Sequence, residues 1–171
     1  SGARLGIVGL GRIGMAIARR AAAFDMRISY HGRRPLAVDY PYYASLTELA
    51  AAVDFLVIAV GGGESTRHLV DAKVLAALGS EGILINVGRG SVVDEAALAS
   101  ALAQGRLLGA GLDVFEDEPR PHPGLLALDN VLLAPHMASA TWDTRRAMSD
   151  LTLANLAAHF SGAAYPTPIP D

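Results

Sequence analysis

The sequence predicts an α/β fold: a doubly wound parallel sheet in a single lobe, followed by a long C-terminal crossing helix. Three observations lead there. Short apolar runs alternate with segments of helical periodicity along the whole chain, the pattern of a parallel sheet with helices on both faces. The mean hydropathy of +0.32 is high, as parallel strands buried on both sides would make it. A glycine-rich turn joins the first run directly to the first helical segment.

The elements follow in order. Residues 4–8 form the first strand, and residues 12–24 a helix with Ile13, Ile17 and Ala21 on one face. Residues 26–30 are the second strand, and residues 31–44 a loop rich in Arg, Pro and Tyr. Ser45 and Glu48 make a capping box that opens a short helix. Residues 55–60 are a third strand, which Gly61, Gly62 and Gly63 end. Asp71 caps a helix running to Leu78, residues 82–87 are a fourth strand, and Asp94 starts a helix that Gly105 stops. Two further strands, 107–114 and 130–133, flank an acidic, Pro-rich loop. A final helix spans about residues 141–160, before a Pro-rich tail. The expected division is residues 1–140 for the sheet domain and 141–171 for the helix and tail.

Composition narrows the function. Of 171 residues, 51% are hydrophobic and 18% charged, so the chain buries one sizeable core. The net charge of −3 and the lack of a basic run argue against nucleic acid as the main partner. No uninterrupted apolar stretch is long enough to span a membrane. Cysteine is absent, which rules out disulfides and a thiol nucleophile and suits a cytoplasmic protein.

Chemistry is expected at the carboxyl ends of the strands, where doubly wound sheets bind their ligands. Gly9, Leu10, Gly11, Arg12, Ile13 and Gly14 match G-x-G-x-x-G between strand and helix, the Rossmann-type fingerprint. The first glycine permits the turn, the second admits a pyrophosphate and the third lets helix and strand pack closely. The helix N-terminus offers N–H groups to the phosphates. At the end of the second strand, His31, Gly32, Arg33 and Arg34 stand where an NAD enzyme has a carboxylate for the ribose hydroxyl. Two guanidinium groups would instead bind a 2′-phosphate, so NADP(H) is expected to be preferred, with NAD(H) possible. Three later strand ends carry Arg89 (after Val87 and Gly88), Glu118 and His136. Each alone has a structural explanation; their occurrence together points to catalysis.

Residues 9–14, 86–95, 109–119 and 130–136 resemble, in order, the signatures of the D-specific 2-hydroxyacid dehydrogenases, and the resemblance covers nearly the whole chain. It is greatest for the branch of glyoxylate/hydroxypyruvate and hydroxyphenylpyruvate reductases. The resemblance implies that Arg89 binds the carboxylate of a small 2-oxo acid, that His136 protonates its carbonyl oxygen, and that Glu118 orients the imidazole. It also implies that Asp113, with Val87 and Gly88 nearby, lies beside the nicotinamide, and that the protein is a homodimer. Glu118 stands where formate-oxidising relatives have Gln. Two departures are Gly61, Gly62 and Gly63 in place of a Pro-Leu-Thr-like segment, and Met137-Ala138 in place of Ile-Gly. Trp142 is expected to pack.

The family also has a second, substrate-shaping lobe built mainly from a preceding segment of about 100 residues. A chain starting at the first strand is therefore expected to bind cofactor but turn over poorly, with Leu151, Leu153, Leu156 and Phe160 left partly bare. The alternative is a dinucleotide-sensing module like the C-terminal-binding-protein corepressors. Those relatives read NADH through an acidic residue after the second strand, which this sequence lacks.

Overall fold

The computed structural model describes residues 2–168. They divide into two compact units, one through Pro135 and one from His136 onward.

The first unit holds seven strands: β1 (Arg4–Val8), β2 (Arg27–His31), β3 (Tyr42–Tyr43), β4 (Phe55–Ile58), β5 (Ile83–Asn86), β6 (Gly109–Leu112) and β7 (Val131–Leu133). All pair in parallel, in the order β3-β2-β1-β4-β5-β6-β7. The order reverses between β1 and β4, which makes their carboxyl ends the switch point of a doubly wound sheet. The helices are α1 (Arg12–Ala22), α2 (Leu46–Ala51), α3 (Ala72–Leu78) and α4 (Glu95–Ala103).

Strand alternation divides the core. Leu5, Ile7, Ile28, Tyr30 and Val57 point to one face with Ala18 and Ala21 of α1. Val8, Leu56, Ile58 and Leu84 point to the other, with Leu49, Leu75 and Leu98 of α2, α3 and α4. Side-chain caps start three of the helices: Ser45 accepts from the N–H of Glu48, Asp71 from Lys73 and Val74, and Asp94 from Ala97.

Two local expectations need correction. The buried face of α1 is Gly14, Ala18 and Ala21, whereas Ile13 is 60% exposed. Gly14 brings the helix so close to β1 that only small residues fit between them. The loop after β2 also contains a strand, β3, whose two residues are too few to show a period.

The second unit is built on α5 (Trp142–Ser161). Thr141 caps its start by accepting from the N–H of Thr144 at 3.2 Å, and Gly162 closes it in the left-handed conformation. Trp142 is 90% exposed, so the expected packing of this side chain is not seen. Leu151, Leu153, Leu156 and Phe160 are all exposed, as expected for a face without a partner among the described residues.

Candidate active site

One register row places the strand ends side by side. His31 pairs with Val8, Val8 with Ile58, Ile58 with Asn86, Asn86 with Leu112, and Leu112 with Leu133. The residues that follow therefore leave the sheet along one edge: Gly9, Gly32, Ala59, Val87, Asp113 and Ala134.

At the switch point each glycine of the loop has its own steric reason. Gly9 has φ +92°, and a methyl group there would overlap Val60. A methyl group on Gly14 would overlap the Gly9 carbonyl oxygen and lie 3.2 Å from Ile7 Cγ2. Nothing lies within 4 Å of the same position on Gly11. Gly11 is also the N-cap of α1, and no side chain caps that helix among the described residues. With no side-chain cap on its first turn and open space over Gly11, the start of α1 fits a dinucleotide pyrophosphate. Arg12 and Ile13 are exposed beside that space, whereas the Leu10 side chain is buried in the core and leaves only its main chain for a ligand.

The end of β2 is tied to this loop, because the Gly9 N–H donates to the His31 carbonyl at 2.9 Å. His31 is half-buried, with Nδ1 3.0 Å from the Tyr43 carbonyl oxygen, so that ring nitrogen carries the proton. Gly32 is half-buried. Arg33 and Arg34 are exposed and make no ion pair or hydrogen bond among the described residues.

Beyond β5, Asn86 is 1% exposed and holds the turn closed. Its Oδ1 accepts from the N–H of Gly88 at 3.0 Å, and its Nδ2 donates to the Arg89 carbonyl at 3.0 Å. Gly88 is buried, and a methyl group there would come within 2.5 Å of the Val60 carbonyl oxygen, so its lack of a side chain serves backbone packing. Val87 is half-buried against the α1 face of the core. Arg89 is exposed; one of its terminal nitrogens donates to the Gly88 carbonyl at 2.7 Å. Its stem lies against Gly62, where an added Cβ would be 3.1 Å from Arg89 Cγ. Of the three glycines only Gly62 lies against Arg89, a contact not visible in the sequence; a Cβ on Gly61 or Gly63 would meet nothing within 4 Å. Beyond β6, the Asp113 N–H donates to the Asn86 carbonyl at 3.0 Å and the residue is 9% exposed. Glu118 Oε1 accepts from the Phe115 N–H at 3.2 Å.

A second network ties these loops together. Glu95, 5% exposed, accepts from the N–H of Glu116 at 2.5 Å and from that of His122 at 3.1 Å. Glu116 in return accepts from the Glu95 N–H at 3.1 Å and pairs with His68 Nε2 at 2.9 Å. The His68 N–H donates to the Ser91 carbonyl at 2.8 Å. Nothing in the sequence spacing pairs Glu95 with Glu116. They line a cleft of about 480 Å³ with His68, Arg120 and His122.

His136 follows the end of β7 and opens the second unit. It is exposed and adopts φ +50°, uncommon for a residue with a Cβ.

A parallel sheet with an open glycine loop and an uncapped helix at its switch point is a dinucleotide-binding domain. The chain belongs to the D-isomer specific 2-hydroxyacid dehydrogenases: residues 1–138 match the family described as "D-isomer specific 2-hydroxyacid dehydrogenase, NAD binding domain". It is 52% identical over 170 residues to a hydroxyphenylpyruvate reductase of Plectranthus scutellarioides, covering 99% of this chain and 54% of that protein. It is 46% identical over 170 residues to a glyoxylate reductase of Thermococcus onnurineus, covering 97% of this chain and 51% of that protein. Among solved structures, an NADPH-dependent glyoxylate/hydroxypyruvate reductase of Sinorhizobium meliloti in complex with NADP and malonate superimposes with a TM-score of 0.95 at 53% identity. That match covers 98% of this chain and 53% of that one. The chain thus spans about half the length of the relatives it matches. No helix among the described residues is long and apolar enough to cross a membrane.

Proposed function

We propose that this chain is the NADPH-binding lobe of a reductase that converts a small 2-oxo acid, such as glyoxylate or hydroxypyruvate, to the D-2-hydroxy acid. The observation that carries the proposal is the single register row, which brings the open glycine loop, Arg89, Asp113 and the Glu118 loop to one edge of the sheet. A reduced nicotinamide dinucleotide, when bound, supplies the hydride. Arg89 pairs its planar, permanently charged fork with the substrate carboxylate and polarises the carbonyl. His136 delivers a proton to the carbonyl oxygen and takes it back in the reverse direction, a contribution of about 10²–10⁴ in rate. Glu118 is assigned the role of orienting that imidazole. Asp113, beside Val87 and Gly88, orients the carboxamide end of the cofactor. Arg33 and Arg34 grip the 2′-phosphate, and the exposure of both supports that role. The reductase names of relatives at 46–52% identity favour catalysis over a corepressor-like sensing role. Homodimerisation and a cytoplasmic location belong to the same proposal and are checked by light scattering and fractionation.

The test is a titration with NADPH and NADH, followed by nucleotide fluorescence. NADPH is expected to bind more tightly, and the Arg33→Ala/Arg34→Ala variant to lose about 5- to 100-fold in NADPH affinity, the worth of one or two partly solvated charge-assisted hydrogen bonds. Its NADH affinity should stay unchanged. Equal loss for both nucleotides would sink the assignment.

A further inference from the structure

The Arg33–Arg34 turn is suspended from the sheet by two phenol oxygens. The strand pair β2–β3 closes the base of the excursion: Tyr30 pairs with Tyr42 and His31 with Tyr43, and the Tyr30 N–H donates to the Pro41 carbonyl at 2.9 Å. Between those residues the chain has little regular hydrogen bonding of its own; one bond, from the Val38 N–H to the Leu36 carbonyl at 2.9 Å, lies inside it. The two ends of the turn are held from below. On the near side, Tyr42 OH donates to the Gly32 carbonyl at 3.1 Å. On the far side, Tyr30 OH accepts from the Leu36 N–H at 2.7 Å. Tyr30 is 1% exposed, locked in the core between α1 and the sheet, and its ring meets that of Tyr42 at a centroid distance of 5.4 Å, tilted 53°. Each oxygen therefore sits on a rigid stem, and the segment between Gly32 and Leu36 contains both arginines.

We infer that Tyr30 and Tyr42 are positioning residues for cofactor choice: their hydroxyls hold the Gly32–Leu36 turn so that Arg33 and Arg34 present a preformed pocket to a phosphate on the adenosine ribose. Neither phenol touches the phosphate. They lower the ordering cost of two long, flexible, exposed side chains by fixing the backbone beneath them. The inference rests on the proposed NADPH preference and adds the residues that set its strength. A neutral ribose hydroxyl gains nothing from the same rigidity, since it does not recruit the guanidinium pair. The tyrosines should therefore act on the ratio of NADPH to NADH affinity rather than on dinucleotide binding in general.

The test uses Tyr30→Phe and Tyr42→Phe, which keep the rings and delete only the oxygens, in the wild-type and in the Arg33→Ala/Arg34→Ala backgrounds. Dissociation constants for NADPH and NADH are measured for all forms. Each Tyr→Phe change should weaken NADPH binding about two- to tenfold, the worth of one neutral hydrogen bond, and leave NADH within twofold. In the arginine-free background neither change should alter NADPH binding further, because the phenols act only through the arginines. Amide hydrogen exchange at Leu36 should also accelerate in Tyr30→Phe. Equal weakening of both nucleotides, or an effect that persists without the arginines, would show a general structural role and overturn the inference. If the arginine variant itself leaves NADPH binding unchanged, the cofactor assignment fails and the tyrosine role falls with it. If the arginines matter and the phenols do not, only the tyrosine role falls.

Discussion

Gly90→Ala adds one methyl group and should damage both fold and function. Gly90 is buried in the turn that carries Arg89. A Cβ at this position would overlap the backbone carbonyl of Phe115 and the amide nitrogen of Glu116. These are main-chain atoms two or three residues from Glu118, so no side-chain rotation relieves the overlap. The Gly90 backbone is not in the left-handed region, so the penalty is steric alone. Restoring van der Waals contact requires the two loops to part by about 1 Å or more, and overpacking of this kind costs about 1–3 kcal/mol. For a chain of this size each kcal/mol lowers Tm by about 2–4 °C, which gives a drop of about 2–12 °C. The same parting moves Arg89 away from the loop that carries Glu118. A misplacement of about 1 Å in a reacting constellation can cost about 10²-fold in rate. Thermal melting of the chain, and kcat/KM for a 2-oxo acid in the complete enzyme, are the two readouts. A variant that melts within about 1 °C of wild type and keeps its turnover would refute the view that backbone contact at Gly90 sets the spacing of the two loops.

Gly11→Ala is expected to do the reverse: with nothing within 4 Å of the added methyl, stability should fall by no more than about 1 kcal/mol, a Tm shift of at most about 4 °C, while NADPH and NADH both bind about tenfold or more weakly by titration. The contrast between Arg89→Met and Asn86→Ala separates working group from support. The first changes an exposed side chain and should melt with wild type while losing turnover, and the second removes both hydrogen bonds of a buried amide and should cost about 1–3 kcal/mol in denaturant unfolding. The Arg4–Asp54 pair gives a pH signature. Hydrogen bonds from the Arg4 guanidinium, and then from its backbone N–H at 2.7 Å, hold the Asp54 carboxyl below its usual range. Its folded pKa thus lies below the unfolded value of about 3.9, so its contribution is fully present above that pH and fades as pH falls through the folded value. Melting curves of wild type and Asp54→Asn should differ by a constant amount near neutrality and converge only below about pH 4; convergence at higher pH would contradict the pairing.

What could be read from the sequence was whatever depends on strand burial and on backbone sterics. The largely apolar runs of β1, β4 and β5 marked strands, because a parallel strand covered on both faces carries few polar residues. The glycines of residues 9–14 marked the turn between β1 and α1, where a Cβ on Gly9 or Gly14 would overlap neighbouring atoms. What escaped depends on contacts between loops. Of the expected α1 stripe Ala21 is buried and Ile17 packs partly against the core, while Ile13 gives way to Gly14 and Ala18, because closeness to β1 selects small residues there. The pairing of Glu95 with Glu116, the contact of Gly62 with Arg89 and the support of the arginine turn by Tyr30 and Tyr42 all join residues whose separation in sequence carries no period.

The placement of polar burial shows how this edge of the sheet is made to work. Asn86, Glu95 and Asp113 are the buried polar residues among those described, and all three belong to the segments that follow or support β5 and β6. Burying such groups is costly unless each lone pair and proton is matched. Asn86 spends its amide on the turn bearing Arg89, and Glu95 spends its carboxylate on the loop that leads to Glu118. The side chains proposed to meet substrate stay exposed at the tips. In the proposed function, support and chemistry thus fall to different residues a few positions apart. An exposed arginine or glutamate can be exchanged to alter the reaction with little effect on the fold, whereas the buried asparagine and glutamate beneath them cannot change without releasing a loop.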